Sequence, residues 1–514
     1  MKLKLTINLI KMINLIACVT IFKNRLAIGK NNDLLFKLKD DMKFFKNITS
    51  FNLSSTSKLN KNIVLMGRKT WFSIPQQFRP LNNRINLILT NDRQLLSPVP
   101  KNLDLNGSDF YFITMGTFEK IYKKYNPNVF VIGGANIYNE FLSKTNELSV
   151  NKIYLTHVQT EDLKNIKFIK ENEPDTFMKN FSHKFKLIGY SEKYNSIYND
   201  KNISYRILTY NQTNEQSEEL KYLDLAKYIL ENGKERTDRT GTGTIGIFGA
   251  QLRFDISNGN LPLLTTKQVP LKAIIEELLF FCRGDTDTKI LDRKDVKIWN
   301  SNTSREFLDK RGLQHYPEGC MGPMYSWNWR HFGAKYSPTF GDTSKCDRSL
   351  IGGFDQLQNV IHLLKTDPFS RRIYISNLNP AESQNMCLEP CHTYIQFYVE
   401  EINGIKYLSG YFSMRSSDNL AWVFNICSYV LLVNILALKC GMKSKEIVYN
   451  AVDCHIYKMH KNQIKEQMTR VPRPFPKVHL DPSIKTKDWS EMTFNDFQLI
   501  GYFSHPSIKM EMAI

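Results

Sequence analysis

The sequence predicts a chain of two domains, the first an α/β domain whose mostly parallel sheet is flanked by helices. Three observations predict it. The chain has 514 residues, and a typical domain size of roughly 100–200 residues makes two to four domains the expectation. Short apolar runs alternate with helical stretches over residues 12–210, as in strands buried on both faces. Asn211-Gln212-Thr213-Asn214-Glu215-Gln216-Ser217 is polar and without apolar periodicity, and reads as a linker. The expected divisions are an extension at 1–11, a first domain at 12–210, a linker at 211–218 and a second domain at 219–514.

Composition bounds the class. Hydrophobic residues make up 42% of the chain and aromatic residues 12%, enough for ordinary cores. The nine cysteines are scattered, odd in number and never spaced Cys-x-x-Cys. That points away from a disulfide framework or a metal site and towards a reducing, cytoplasmic setting. A net charge of +19 favours anionic partners. Because the lysines are dispersed, a solvated basic surface is the plain reading and small anionic substrates the informative one, with RNA binding at most weak. No run reaches the ~18 apolar residues of a membrane span, so no membrane partner is expected. Residues 1–11 are basic and apolar without acids, as in a targeting extension. Met12-Ile13-Asn14-Leu15-Ile16-Ala17-Cys18-Val19 reads instead as a first buried strand.

Further strands are expected at Ile63-Val64-Leu65-Met66, Ile85-Asn86-Leu87-Ile88-Leu89, Phe110-Tyr111-Phe112-Ile113 and Val129-Phe130-Val131-Ile132. Two of them run into glycine, at Gly67-Arg68-Lys69-Thr70 and Gly133-Gly134-Ala135-Asn136-Ile137. Glycine after a strand lets backbone approach a phosphate, and the helix start beyond it supplies free N–H groups at a positive dipole end. Arg68 and Lys69 add cations suited to a phosphomonoester. Tight turns use the same residues, so the pair carries more than either alone. At Asp40-Asp41-Met42-Lys43-Phe44-Phe45 a helix begins, with Asp41 and Phe45 one turn apart on one face. Such a carboxylate either stabilises the helix start through its dipole or hydrogen-bonds both N–H groups of an amino-pyrimidine ring.

Together with Ile28-Gly29-Lys30-Asn31-Asn32-Asp33, Trp71, Leu81-Asn82-Asn83-Arg84 and Ile153-Tyr154-Leu155-Thr156, these segments resemble dihydrofolate reductase in order and spacing. The resemblance implies reduction of dihydrofolate with NADPH. It implies that Asp41 anchors the pterin and assists protonation at N5, with Thr156 supporting it. Arg84 would hold the folate α-carboxylate and Phe45 pack on the ring, with Ala17 and Ile132 also in the folate pocket. Ile28, Gly67, Arg68, Lys69, Thr70, Gly133, Gly134, Ala135, Asn136 and Ile137 would line the NADPH groove. The chain departs from the family at Leu35-Phe36 (Pro-Trp), Lys164-Asn165-Ile166 (Gly-Asp-Thr) and Ala135 (a third glycine), which bears on loop closure.

Past the linker, residues 218–230 start a helix with Leu220, Leu223, Ala226, Tyr228 and Leu230 as candidate core positions. Arg236-Thr237-Asp238-Arg239-Thr240-Gly241-Thr242-Gly243-Thr244 is a basic loop whose hydroxyls and Arg239 suit a phosphate. Residues 271–281 make an apolar helix containing Glu276 and Glu277. A glutamate there is either half of an ion pair or a proton-transfer group with a shifted pKa. Leu388-Glu389-Pro390-Cys391-His392 then precedes a strand-like run, residues 393–399. The cysteine is either a buried thiol beside a structural histidine or a nucleophile, if cations such as Arg371, Arg372 and Arg415 favour its thiolate.

Ile298-Trp299-Asn300, Gly322-Pro323-Met324-Tyr325, Arg371-Arg372, Pro390-Cys391-His392, Arg415-Ser416-Ser417-Asp418, Phe424-Asn425-Ile426, His455-Ile456-Tyr457 and the tail from His505 resemble thymidylate synthase. The two halves in this order resemble the bifunctional dihydrofolate reductase–thymidylate synthase family of protists and plants. The resemblance implies an α+β second domain, a large sheet with helices. It implies that Cys391, with His392 in the catalytic set, adds to C6 of dUMP while Glu277 relays protons through water. 5,10-Methylenetetrahydrofolate would supply the carbon and then hydride. Arg239, Arg415 and Ser416 would hold the phosphate, and Arg371 and Arg372 would cross from the partner subunit of a homodimer. Asn425 would read the uracil edge, His455 and Tyr457 the ribose 3′-hydroxyl. Trp299, Leu388, Asp418 and Phe424 would flank the folate, Asp418 also lying on the dUMP side, and Ala513 would close over it.

Here the departures are Met414 (glutamine in the family), Asn300 (aspartate), Asn328 (glutamine) and a segment at 419–423 one residue short and carrying Trp422. The alternatives are a pyrimidine hydroxymethylase of the same fold, or a second domain reduced to a dimerisation and RNA-binding scaffold. Asn425, which suits uracil over cytosine, weighs against the first; the cysteine nucleophile weighs against the second.

Overall fold

The computed structural model describes residues 13–50, 57–100, 103, 110–159, 173–181, 183–198, 201–238, 241–347 and 350–511. The extension at 1–11, the departure at 164–166, Arg239 and Ala513 lie outside the described residues. Contacts divide the chain into two compact units, Met1–Ser217 and Glu218–Ile514.

In the first unit, β1 (Ile13–Phe22), β2 (Arg25–Lys30), β3 (Asn62–Gly67), β4 (Arg84–Leu89), β5 (Phe110–Ile113), β6 (Val129–Gly133), β7 (Lys152–Val158), β8 (Phe185–Tyr190) and β9 (Lys201–Gln212) join one sheet. Its main path is β8-β9-β7-β1-β6-β3-β4-β5. From β7 to β5 every neighbour is parallel, and β9 and then β8 close the other end antiparallel. Helices pack against these strands, and strands covered in this way are continuous apolar runs. Ile13, Leu15, Val19, Val64, Leu65 and Val131 are all fully buried. The expected mostly parallel α/β sheet is therefore the observed one. Helix α1 (Lys39–Ser50) follows β2, α2 (Arg68–Ser73) follows β3, and α3 (Ala135–Ser143) follows β6. Phe36, at one family departure, is buried with Val158, Ile203 and Tyr205 and meets Tyr198 edge to face.

The second unit is built on a six-stranded sheet. Its strands are β10 (Lys234–Arg236), β11 (Thr244–Asp255), β12 (Tyr374–Ser376), β13 (His392–Ile402), β14 (Ile405–Asp418) and β15 (Lys443–Tyr457). The order is β10-β11-β15-β14-β13-β12, with only β14 and β15 parallel. Two long helices, α5 (Leu271–Arg283) and α6 (Asn419–Lys439), run through its core, and α4 (Leu220–Asn232) packs on β11.

Two expectations are corrected. Tyr228 is exposed, and the buried positions of α4 include Tyr222 and Ile229 instead. The chain also does hold an apolar helical stretch of membrane-span length, Trp422–Lys439, with mean hydropathy 1.7. It is mostly buried inside the unit, and a helix packed on all sides is apolar all round.

Candidate active sites

In the first unit, α1 and β7 bring together residues far apart in sequence. Asp41, in the first turn of α1, is buried, and Thr156 Oγ1 on β7 donates to its Oδ1 at 2.5 Å. Burial raises the Asp41 pKa and the threonine hydrogen bond opposes that rise. Neighbouring Asp40 instead accepts from the Tyr205 hydroxyl at 2.9 Å, so adjacent acids have different surroundings. Ala17 on β1 is buried in register with Leu155, one residue from Thr156, and Ile132 is half-buried on β6. Arg84 is buried, donating to Thr49 Oγ1 at 2.8 Å and lying 5.8 Å over the Phe45 ring. Burial pulls its pKa down.

The two glycine turns are neighbours. β3 and β6 pair in parallel, with Met66 opposite Gly133, so both strands end at the same edge and both helices start there. A Cβ on Gly67 would stand 3.2 Å from Ile137 Cγ1, and one on Gly133 or Gly134 would stand 3.2 Å from Thr70 Oγ1. Glycine keeps this groove open to a ligand's phosphates. Arg68 and Lys69 are exposed beside it, Arg68 paired with Asp92 at 2.9 Å, while Ala135, Asn136 and Ile137 form the first turn of α3. Ile28 is half-buried on β2. This donor set and open backbone fit NADPH.

In the second unit, Cys391 immediately precedes β13 and is partly buried. Its N–H donates to the Tyr325 hydroxyl at 2.7 Å, and its carbonyl accepts from Arg415 N at 2.8 Å. The Arg415 guanidinium braces the same loop, donating to Pro390 O at 2.9 Å and Glu389 O at 3.0 Å. His392 is buried, stacked on Tyr325 at 4.2 Å with Nδ1 2.9 Å from the Tyr429 hydroxyl. Burial pushes its pKa down to about 3, so the ring is neutral. Tyr325, although it ends the Gly322-Pro323-Met324-Tyr325 motif, and Tyr429 were not among the expected site residues; nothing local in sequence shows that their partners lie 66 and 37 residues away.

The two glutamates of α5 separate. Glu276 pairs with Lys294 at 2.6 Å. Glu277 has no cation partner among the described residues; it accepts from Trp299 Nε1 at 2.8 Å, and burial pushes its pKa up to about 7. Trp299, expected beside folate, therefore also orients this carboxyl.

The parallel ladder of β14 and β15 collects the rest. Ser416 lies opposite Asp453 and Asp418 opposite His455. His455 is buried, its Nδ1 3.0 Å from Asp453 Oδ1, and its ring meets Tyr457 edge to face. Asn425, on α6, reaches the buried Met414 sulfur at 4.0 Å, a weak contact because a thioether is a poor acceptor. Trp422 does not crowd this site: it is buried in the core, Nε1 donating to Ser417 O at 3.3 Å. The shortened segment is absorbed because α6 starts at Asn419, directly after β14 ends at Asp418. Leu388 and Phe424 pack partly buried against the core. Arg371 and Arg372 are exposed in the turn before edge strand β12, away from the ladder in sequence and in strand order. No cluster of potential metal ligands occurs among the described residues.

A dihydrofolate reductase family model matches residues 12–212, and a thymidylate synthase family model matches residues 220–514. The chain is 37% identical to the bifunctional dihydrofolate reductase-thymidylate synthase of Zea mays, over 95% of each chain. It is 37% identical to that of Paramecium tetraurelia over 95% of this chain and 96% of the relative. For that of Leishmania major the identity is 35%, over 95% and 93%. Matched in both units and along nearly the whole of its relatives, the chain belongs to the bifunctional dihydrofolate reductase–thymidylate synthase family, an NADPH-dependent reductase and a methylenetetrahydrofolate-dependent thymidylate synthase in one polypeptide.

Proposed function

We propose that Asp41 is the proton-handling group of the reductase and Cys391 the nucleophile of the synthase. The observation that carries the reading is a buried carboxyl of raised pKa in each unit, held by one side-chain donor beside the expected substrate groups. In the reductase, Thr156 occupies Asp41 Oδ1 and leaves the remaining acceptor capacity for the pterin N–H groups. The raised pKa favours holding a proton for N5. NADPH, when bound, supplies the hydride, and Gly67, Gly133 and Gly134 let backbone N–H groups approach its phosphates.

In the synthase, the Cys391 thiolate adds to C6 of dUMP, making C5 the carbon nucleophile. Methylenetetrahydrofolate supplies the carbon and the reducing hydride. Glu277, poised near neutrality and oriented by Trp299, takes the C5 proton through water. Neutral His392 is a positioning residue that holds the cysteine loop with Tyr325 and Tyr429. Asn425 reads the uracil edge, Arg415, Ser416 and Arg239 hold the phosphate, and His455 and Tyr457 the ribose hydroxyl. Trp299, Leu388, Asp418, Phe424 and Ala513 bound the folate. Cys391→Ser is expected to abolish dTMP formation while sparing dihydrofolate reduction, and Asp41→Asn to do the reverse. One variant losing both activities, or neither, would refute the assignment.

We also propose a homodimer. The sheet of the second unit exposes the apolar side chains Phe248, Tyr398 and Val452, which a covering surface would remove from water, and Arg371 and Arg372 are exposed and able to reach a partner's phosphate site. Mixing inactive Cys391→Ala chains with Arg371→Ala/Arg372→Ala chains under subunit exchange should restore synthase activity. Mixtures no more active than the sum of the two would sink shared sites.

A further inference from the structure

Glu219 is a charged group that neither mechanism uses, yet it is fully buried. Its carboxylate accepts from the backbone N–H groups of Thr265 at 3.0 Å and Thr266 at 2.8 Å. It also accepts from Thr265 Oγ1 at 2.5 Å and Thr266 Oγ1 at 2.7 Å. The proton directions follow from the next partners. Thr265 Oγ1 accepts from Arg473 N at 2.8 Å, and Thr266 Oγ1 from Gln467 Nε2 at 2.9 Å. Amide N–H groups cannot accept, so each hydroxyl is left to donate its own proton; for Thr265 the alternative acceptor, Arg473 O, is a longer 3.4 Å away. Four donors on one carboxylate match its ionised form. Burial raises the Glu219 pKa, and those donors offset only part of that rise.

The Thr265-Thr266 turn that Glu219 holds carries two other things. It leads into Lys267, which is buried, reaches Met510 Sδ at 3.7 Å and interacts electrostatically with Asp418. It is also the dock for the carboxy-terminal segment. His505 N donates to Thr265 O at 2.7 Å, and Arg470 Nη1 donates to Thr266 O at 2.8 Å and Pro506 O at 2.6 Å. Arg473 Nη1 donates to Ser504 O at 2.6 Å, and the Tyr502 hydroxyl donates to Leu264 O at 2.8 Å.

We infer that Glu219 is a positioning residue for the folate half of the synthase reaction: by holding residues 265–267 and the tail docked on them, it sets Lys267, which Met510 touches, towards Asp418. This rests on the reading of Asp418 as a folate-side residue. An isosteric amide at 219 would turn an NH2 group towards donors and break the clamp.

The test is Glu219→Gln in the full chain. The expected result is a rise of about tenfold in KM for methylenetetrahydrofolate, with KM for dUMP and both reductase constants within about twofold. Thr266→Val, which removes one donor, should raise the same KM less, and Thr266→Ser should restore it. If Glu219→Gln is insoluble, the Thr266 pair decides: a KM that rises in Val and returns in Ser supports the clamp, and an unchanged KM overturns it. A lower melting temperature with unchanged folate KM would also overturn it, since that is what a merely structural role predicts. Asp418→Ala separates the premises. A raised folate KM there with none in Glu219→Gln defeats the clamp alone, whereas no change there defeats the Asp418 reading and the inference with it.

Discussion

Asp41 in the first unit and Glu277 in the second are built alike, and Glu219 is built differently. The first two are buried acids that take a hydrogen bond from one side chain, Thr156 or Trp299, and burial raises the pKa of each. Glu219 is buried as deeply but takes two hydroxyl and two backbone donors. Burial alone disfavours the charged form of all three. What differs is how many donors compensate it. A carboxyl with one partner has lone pairs left to offer a substrate; one with four is committed to its neighbours. Glu276 and Glu277 differ in the same way one residue apart, since the first is taken up by an ion pair with Lys294.

This comparison can be broken or sharpened by experiment. Glu277→Gln should lower synthase kcat by about 10²–10³-fold, within the range for a lost general acid–base. In the parent, kcat/KM for dTMP formation should rise with pH through about 7, as the carboxyl ionises, and the variant should lose that inflection. A retained inflection would assign the titration to another group. The same group also bears on stability. Its pKa is raised from 4.5 unfolded to about 7 folded, so the folded state holds a proton that the unfolded state releases. Stability should therefore fall between those pH values, by up to ~3 kcal/mol. Chemical denaturation of the parent and Glu277→Gln across that window reads the difference, and parallel curves would contradict a buried, protonatable Glu277. The smallest effect is at Thr156. Thr156→Val removes the donor on Asp41 and should cost the reductase about tenfold in kcat/KM, raising the pH at which the rate falls off. No shift in that pH would mean that the hydroxyl does not tune the carboxyl.

Much of the fold and site was legible in the sequence because the signals are local. The apolar runs at β1, β3, β4, β5 and β6 became the parallel strands, since a strand covered on both faces must be apolar throughout. Glycine after a strand, an acid and an aromatic one helical turn apart, and a cysteine behind a proline are patterns within a few residues. Tyr228 was misjudged because helical periodicity gives a face, while packing decides how wide the buried face is. The placing of Trp422 was not legible, because only packing shows that its segment is helical and that its ring enters the core.

By itself, then, the sequence determined the strands, the glycine turns and the two-part division, and it named the candidates for the reacting groups. The tertiary structure decided which groups meet. Thr156 reaches Asp41 across 115 residues of chain, Tyr325 reaches Cys391 across 66, and Thr265 reaches Glu219 across 46. It also decided which acid keeps acceptor capacity for a substrate. That property depends on donors brought from distant elements, which are not encoded at the residue that carries the charge.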